Sequence, residues 1–179
     1  MKLLAHAKEK LPAPASSSSG KGIEGGPANS HFLHAGQVHF SSAGQPIVMI
    51  LGSCVAVCLW DPINAIGGAT HYLLPSWDGR GAASPRYGDV AIGVLLQKLM
   101  EAGAQKQQLR AKVFGGGCLF DFMRGQESGK DHLGKRNVQM ALDTLNKERI
   151  LVVSVEAGVD KGQRIVFHTD TGASSVKTL

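Results

Sequence analysis

Two residues of this 179-residue chain, Cys54 and His71, are of the types that together perform acyl transfer. A cysteine thiol has an ordinary pKa of about 8.5, so roughly a few per cent is thiolate at neutral pH, and a nearby base or positive dipole must raise that fraction. A neutral imidazole can accept the thiol proton, and the imidazolium so formed can donate one to a departing amine or ammonia. Gly52 and Ser53 stand just before Cys54. Small residues there leave room for a substrate carbonyl and let backbone N–H groups reach a tetrahedral oxyanion. Taken alone, this local pattern favours a plainer reading, a buried strand cysteine, because free cysteine is among the most buried residue types.

Other chemistries are less well supported. Cys58 lies four residues beyond Cys54, so on a strand the two share a face, but the spacing differs from the two-residue gap typical of zinc sites. A metal site assembled from Cys54, Cys58 and Cys118 with His31, His34, His39, His132 or His168 is poorly supported, and burial is the expected role of Cys58 and Cys118. Phe114-Gly115-Gly116-Gly117 lacks the Lys-Ser/Thr ending of a P-loop and the spacing of a dinucleotide motif. It reads as a place where backbones pack closely beside the site. Arg86, Tyr87 and Asp89, and separately Arg136-Asn137, stand near predicted helix starts. Either set could hydrogen-bond a substrate, with capping and surface solvation the commoner explanations.

The elements that must hold Cys54 and His71 are short apolar runs punctuated by Gly, Pro and Asp. Ile47–Leu51 and Cys54–Trp60 read as buried strands separated only by Gly52 and Ser53, so the chain must bend or bulge just before Cys54. Asp61-Pro62 marks a turn, and Gly68–Leu74 reads as the returning strand of a hairpin carrying His71. Helical spacing of Ala91, Val94, Leu95, Leu99 and Ala102 predicts a helix over Gly88–Ala102, stopped by Gly103. A second, over Gly134–Lys147, presents Val138, Ala141, Leu142 and Leu145 on one side. Further strands are expected at Ala111–Phe114, Ile150–Val155, Arg164–Thr169 and Ala173–Lys177. Strands and helices do not alternate strictly, so a mixed α+β sandwich is expected, with each helix packed on a sheet by its one apolar side.

Length suits one globular domain, here residues 31–179. Residues 1–30 hold Pro12, Pro14, the run Ser16–Ser19 and several glycines, and too few large apolar side chains to offset ordering entropy, so a disordered tail is expected there. Nineteen Lys and Arg against 14 Asp and Glu leave a formal charge of +5. The excess is scattered and includes Lys2, Lys8, Lys10 and Lys21, with no aromatic-interleaved basic stripe, which argues against nucleic-acid binding. No run approaches the roughly 18 apolar residues of a membrane span, and no secretory h-region is present, so a cytoplasmic protein without membrane insertion is expected. Three cysteines, an odd number, fit a reducing compartment.

LGSCVAVCLWDP (Leu51–Pro62) followed by GGATHYLLP (Gly67–Pro75) resembles the signature of the chemoreceptor glutamine deamidase family, CheD. RYGDVAI (Arg86–Ile92), AKVFGGG (Ala111–Gly117), LGKRNV (Leu133–Val138) and GQRIVF (Gly162–Phe167) follow in the family's order, so the resemblance covers about His31–Lys177. A motif of that length outweighs the plainer reading of Cys54. It implies a compact α/β sandwich of stacked mixed sheets with helices outside, and deamidation of glutamines on chemotaxis receptors to glutamate. By resemblance Cys54 is the nucleophile, His71 its base, and a thioester the intermediate, with no metal or organic cofactor. Implied partners are the helical cytoplasmic portions of chemoreceptors and a CheC-type phosphatase. Two departures stand out. Family members carry a threonine five or six residues before the cysteine that orients the histidine, whereas this chain has Val48 and Met49 there. Ser53 or a backbone carbonyl is then the candidate substitute, a binding module without turnover is the alternative function, and Val48→Thr is the variant that asks whether the hydroxyl matters. The segment EAGVDKGQR also departs from the family's double-glycine pattern.

Overall fold

Val55, Val57 and Leu59 alternate with Ala56, Cys58 and Trp60, and both sets are apolar, so this segment must be covered on both faces. A computed structural model of the chain, which describes residues 26–118 and 132–179, shows how. Its strands in chain order are β1 (His31–Phe32), β2 (Gln37–Ser41), β3 (Pro46–Leu51), β4 (Val55–Asp61), β5 (Ile66–Tyr72), β6 (Arg110–Gly115), β7 (Leu151–Ala157), β8 (Gln163–His168) and β9 (Ser174–Thr178). Helix α1 spans Gly88–Glu101 and α2 spans Leu133–Lys147.

The strands form two mixed sheets, one in the order β1-β3-β8-β9 and one in the order β2-β5-β4-β6-β7. β4 is the centre of the larger sheet, and each of its seven residues is buried. Val55, Val57 and Leu59 join Ala91, Ile92, Leu95 and Leu99 of α1 and Ala141 and Leu145 of α2 in one core. Ala56, Cys58 and Trp60 meet Ile47, Met49 and Leu51 of β3 and Ile165 and Phe167 of β8 in a second. The layers are therefore sheet, sheet and helices, an α+β fold in which both helices cover the same face of the larger sheet. Each fully buried Leu, Ile or Val contributes about 1.5–3 kcal/mol relative to exposure, so two such cores leave little freedom in strand register.

The expected hairpin is present. β4 and β5 pair antiparallel from Asp61↔Ile66 to Val55↔Tyr72. Asp61 closes its turn: Oδ1 accepts from the N–H groups of Ile63 and Asn64, at 2.9 and 3.1 Å. The predicted bend also forms, and Gly52, Ser53 and Cys54 lie between β3 and β4 outside any ladder.

Two boundaries beside the candidate site differ from expectation. Cys54 sits before β4 rather than within it, and Leu73 and Leu74 lie beyond β5. β1 and β2 were not anticipated, although Val38 and Phe40 alternate with Gln37, His39 and Ser41; the polar residues hide the period of two. Of the tail expected over residues 1–30, residues 1–25 lie outside the described residues; Gly26–Ser30 are described and hold a turn at Ala28 and Asn29. Among the described residues, no helix is long and apolar enough to cross a membrane.

Candidate active site

β5 alternates between the two cores. Ile66 and Tyr72 face the helices, while Ala69 faces the smaller sheet, so His71, two residues on from Ala69, shares that inter-sheet face. His71 pairs with Ala56 across the ladder. Cys54 precedes Ala56 by two residues and lies just before the first rung of that ladder, Val55–Tyr72. The two candidate residues thus stand at the same end of the central hairpin. Cys54 is partly exposed and His71 is buried, 5 % exposed.

His71 is held by a carbonyl. Its Nδ1 lies 3.2 Å from the backbone oxygen of Leu33, which can only accept, so Nδ1 carries the proton. Nε2 is then the bare nitrogen, and it is buried with no hydrogen-bond partner among the described residues. Burial pushes the imidazole pKa below its ordinary value, the Leu33 carbonyl opposes this, and His34 adds to the lowering. The ring is therefore neutral at pH 7 with a free lone pair.

Leu33 is in position because β1 belongs to the smaller sheet and β2 to the larger one. The chain crosses between sheets at residues 33–36. Leu33 N–H donates to the Val48 carbonyl at 2.9 Å on one side, and Gly36 N–H donates to the His71 carbonyl at 2.6 Å on the other.

The thiol of Cys54 is raised by burial, an effect its own backbone N–H partly offsets. The pair rests as thiol and neutral imidazole rather than as an ion pair. The carbonyls on either side of Ser53 are taken: Cys54 oxygen accepts from Gly116 N–H at 2.8 Å and Gly52 oxygen from Gly117 N–H at 2.9 Å. The glycine run is therefore the close-packing segment expected beside the site. Gly115 has φ +94°, and a Cβ there would lie 2.3 Å from the Cys54 carbonyl oxygen. A Cβ on Gly134 of α2 would likewise lie 2.3 Å from the Gly116 carbonyl oxygen. Gly115→Ala is expected to cost about 2–3 kcal/mol, from left-handed backbone strain plus the displaced Cys54 carbonyl, read as a lowered urea midpoint.

Of the other candidates, Cys58 is fully buried and its thiol pKa is driven far up by burial, which makes it inert. Cys118 is also buried. Among the described residues no three His, Cys, Asp or Glu side chains converge in a way that could hold a metal ion. Arg86 and Arg136 are exposed. Asp89 is engaged by the backbone N–H of Trp77 at 3.1 Å. Asn137, read from sequence as a cap or a substrate contact, is instead fully buried, and its amide nitrogen donates to the Ser53 carbonyl at 3.2 Å and the Leu73 carbonyl at 2.9 Å. Sequence reasoning did not find Leu33, since a backbone carbonyl carries no residue signature.

The low pKa of His71 has a consequence for stability. The unfolded chain takes up this proton near pH 6.5 and the folded chain only below that, so between the two values the unfolded state binds more protons. Stability should hold above about pH 6.5 and fall as pH drops below it. His31, also lowered chiefly by burial, acts in the same direction. Urea midpoints measured between pH 7.5 and 5 should decline, and His71→Gln should remove part of that slope.

At one end of the central hairpin of this two-sheet α+β protein stand a partly exposed thiol and a buried imidazole oriented by a backbone carbonyl. The family model described as CheD chemotactic sensory transduction matches residues 73–178. A "Probable chemoreceptor glutamine deamidase CheD" of Trichlorobacter lovleyi is 40% identical over 149 residues, 83% of this chain and 90% of that protein. "Probable chemoreceptor glutamine deamidase CheD 1" of Anaeromyxobacter dehalogenans is 40% identical over 168 residues, 94% of this chain and 95% of that one. The chain belongs to the CheD family. Among solved structures, a Neisseria meningitidis protein of family DUF152 aligns over 79% of this chain and 64% of its own, at 14% identity and a TM-score of 0.39.

Proposed function

We propose that this chain hydrolyses side-chain carboxamides of particular glutamines on chemotaxis receptors to glutamate, with Cys54 as nucleophile and His71 as general base. The observation that carries the reading is the bare, buried Nε2 of His71 at the end of the hairpin that Cys54 immediately precedes, in a chain of the CheD family. Nε2 takes the thiol proton as sulfur attacks the carboxamide carbon. Negative charge moves to the carboxamide oxygen, which the backbone N–H groups of the Gly52–Cys54 bend receive. The imidazolium returns the proton to nitrogen, the C–N bond breaks, and ammonia leaves a thioester. Water, deprotonated by the same Nε2, attacks the thioester and releases glutamate and the thiol. Overall one water is consumed and one ammonia produced, with every proton passing through residues of this chain.

The carbonyl of Leu33 takes the orienting part that the absent threonine leaves open. The receptors' helical cytoplasmic portions are the proposed substrates, and a CheC-type phosphatase is a second proposed partner. Incubation with receptor cytoplasmic fragments, followed by peptide mass spectrometry, tests the reading through glutamine-to-glutamate conversion. Binding of those fragments without any conversion by the wild-type chain would favour a non-catalytic receptor-binding module. Cleavage of backbone amides would point to a broader cysteine peptidase.

A further inference from the structure

The β4–β5 ladder ends at the rung Val55–Tyr72, so Cys54 and Leu73 lie just beyond the last backbone pairing. One side chain replaces the missing rung. Asn137, in the second turn of α2, sends one amide N–H to the carbonyl of Ser53, next to Cys54, and the other to the carbonyl of Leu73, two residues after His71. Its backbone oxygen accepts from the hydroxyl of Tyr72 at 2.8 Å. A single planar amide is thus tied to both sides of the proposed site.

Two features argue against simple anchoring of the helix. Asn137, Ala141 and Leu145 recur at four-residue spacing on the buried stripe of α2, and the latter two anchor it with apolar contacts alone. Both neighbours of the Asn137 amide nitrogen are carbonyls, which fixes its orientation and leaves Oδ1 buried with no partner among the described residues. A buried acceptor without a donor is destabilising, and natural proteins retain such groups where geometry matters more than stability.

We propose that Asn137 is a positioning residue that sets the distance between Cys54 and His71 by clamping the two segments that carry them. The proposal rests on the roles given to Cys54 and His71 above. It is tested with Asn137→Ala, the milder Asn137→Ser, and Leu145→Ala as a destabilised comparator on the same stripe. Three quantities are measured: Tm, kcat and KM on a receptor fragment, and the pH dependence of Cys54 alkylation by iodoacetamide, followed by mass spectrometry.

The clamp predicts that Asn137→Ala loses about 10- to 100-fold in kcat, the cost of misplacing a catalytic group by about 1 Å. KM should stay within about twofold. The Cys54 alkylation profile should move to that of His71→Ala. Leu145→Ala should lower Tm at least as far and keep wild-type kcat and alkylation. A folded Asn137→Ala that keeps both the wild-type kcat and the wild-type alkylation profile overturns the proposal. If Asn137→Ala fails to fold, Asn137→Ser is read by the same criteria. If the wild-type chain deamidates nothing, the alkylation profiles still decide the clamp, so its failure and that of the deamidase reading are told apart.

Discussion

Replacing Cys54 with alanine or serine is expected to lower glutamine deamidation by about 10⁴-fold or more, the scale on which removal of a covalent nucleophile acts. Serine is included because its hydroxyl is far harder to deprotonate. Burial lowers the basicity of the imidazole, and an alcohol gives up its proton far less readily than a thiol, so the same base activates serine much less. Cys58→Ala provides the contrast. Its thiol is four residues further along the chain, but it is sealed between the sheets and held protonated by burial. It should keep kcat within about twofold while losing a little stability to the cavity. Conversion of receptor glutamines that persists unchanged in Cys54→Ala would remove Cys54 from the mechanism.

His71→Ala should lower kcat by about 10²–10⁴-fold, the span attributed to a positioned general acid and base. The pH profile of the wild-type chain carries the same information. Burial holds His71 below its ordinary pKa, so the base stays unprotonated through neutrality and the acid limb of kcat/KM should fall below about pH 6.5. An acid limb above that value would contradict the buried, neutral imidazole. Val48→Thr, the substitution suggested by the family resemblance, should bring no gain. Ile47, Met49 and Leu51 face the core between the sheets, so Val48 faces the other way, with its Cγ2 beside Gly26. A hydroxyl there would not reach His71, whose Nδ1 already has the Leu33 carbonyl. A clear rise in kcat for Val48→Thr would show that the imidazole has an alternative setting which that carbonyl does not control.

The hairpin bearing Cys54 and His71 was legible because its cues are local. Continuous apolar residues mark β4 as a central strand, Asp61-Pro62 marks the turn, and Gly52-Ser53 marks the bend. The two helices were legible for a similar reason, since 3.6-residue periodicity is written into consecutive positions, and the observed α1 and α2 agree within one residue at each end with the expected spans. β1 and β2 were not, because a two-residue strand and one whose alternate positions are Gln, His and Ser have no pattern that stands above a loop. Asn137 was noticed as a polar residue near a helix start, yet its burial could not be read from α2 alone. That depends on which strand ends the second helical turn covers.

Sequence by itself determined the chemical types available, their parity along each strand and the family motif, all of which depend on neighbours a few residues apart. Only the tertiary structure decided what those groups touch. Leu33 is 38 residues from the imidazole it orients, and Asn137 is 84 residues from the Ser53 carbonyl it holds. Contacts at such separations are set by how two sheets and a helix pack, and a backbone carbonyl that acts as a ligand looks the same in sequence whichever side chain it belongs to. That is why the resemblance could point to an orienting threonine at Val48 or Met49, while the carbonyl proposed to take that part could not be read from the sequence.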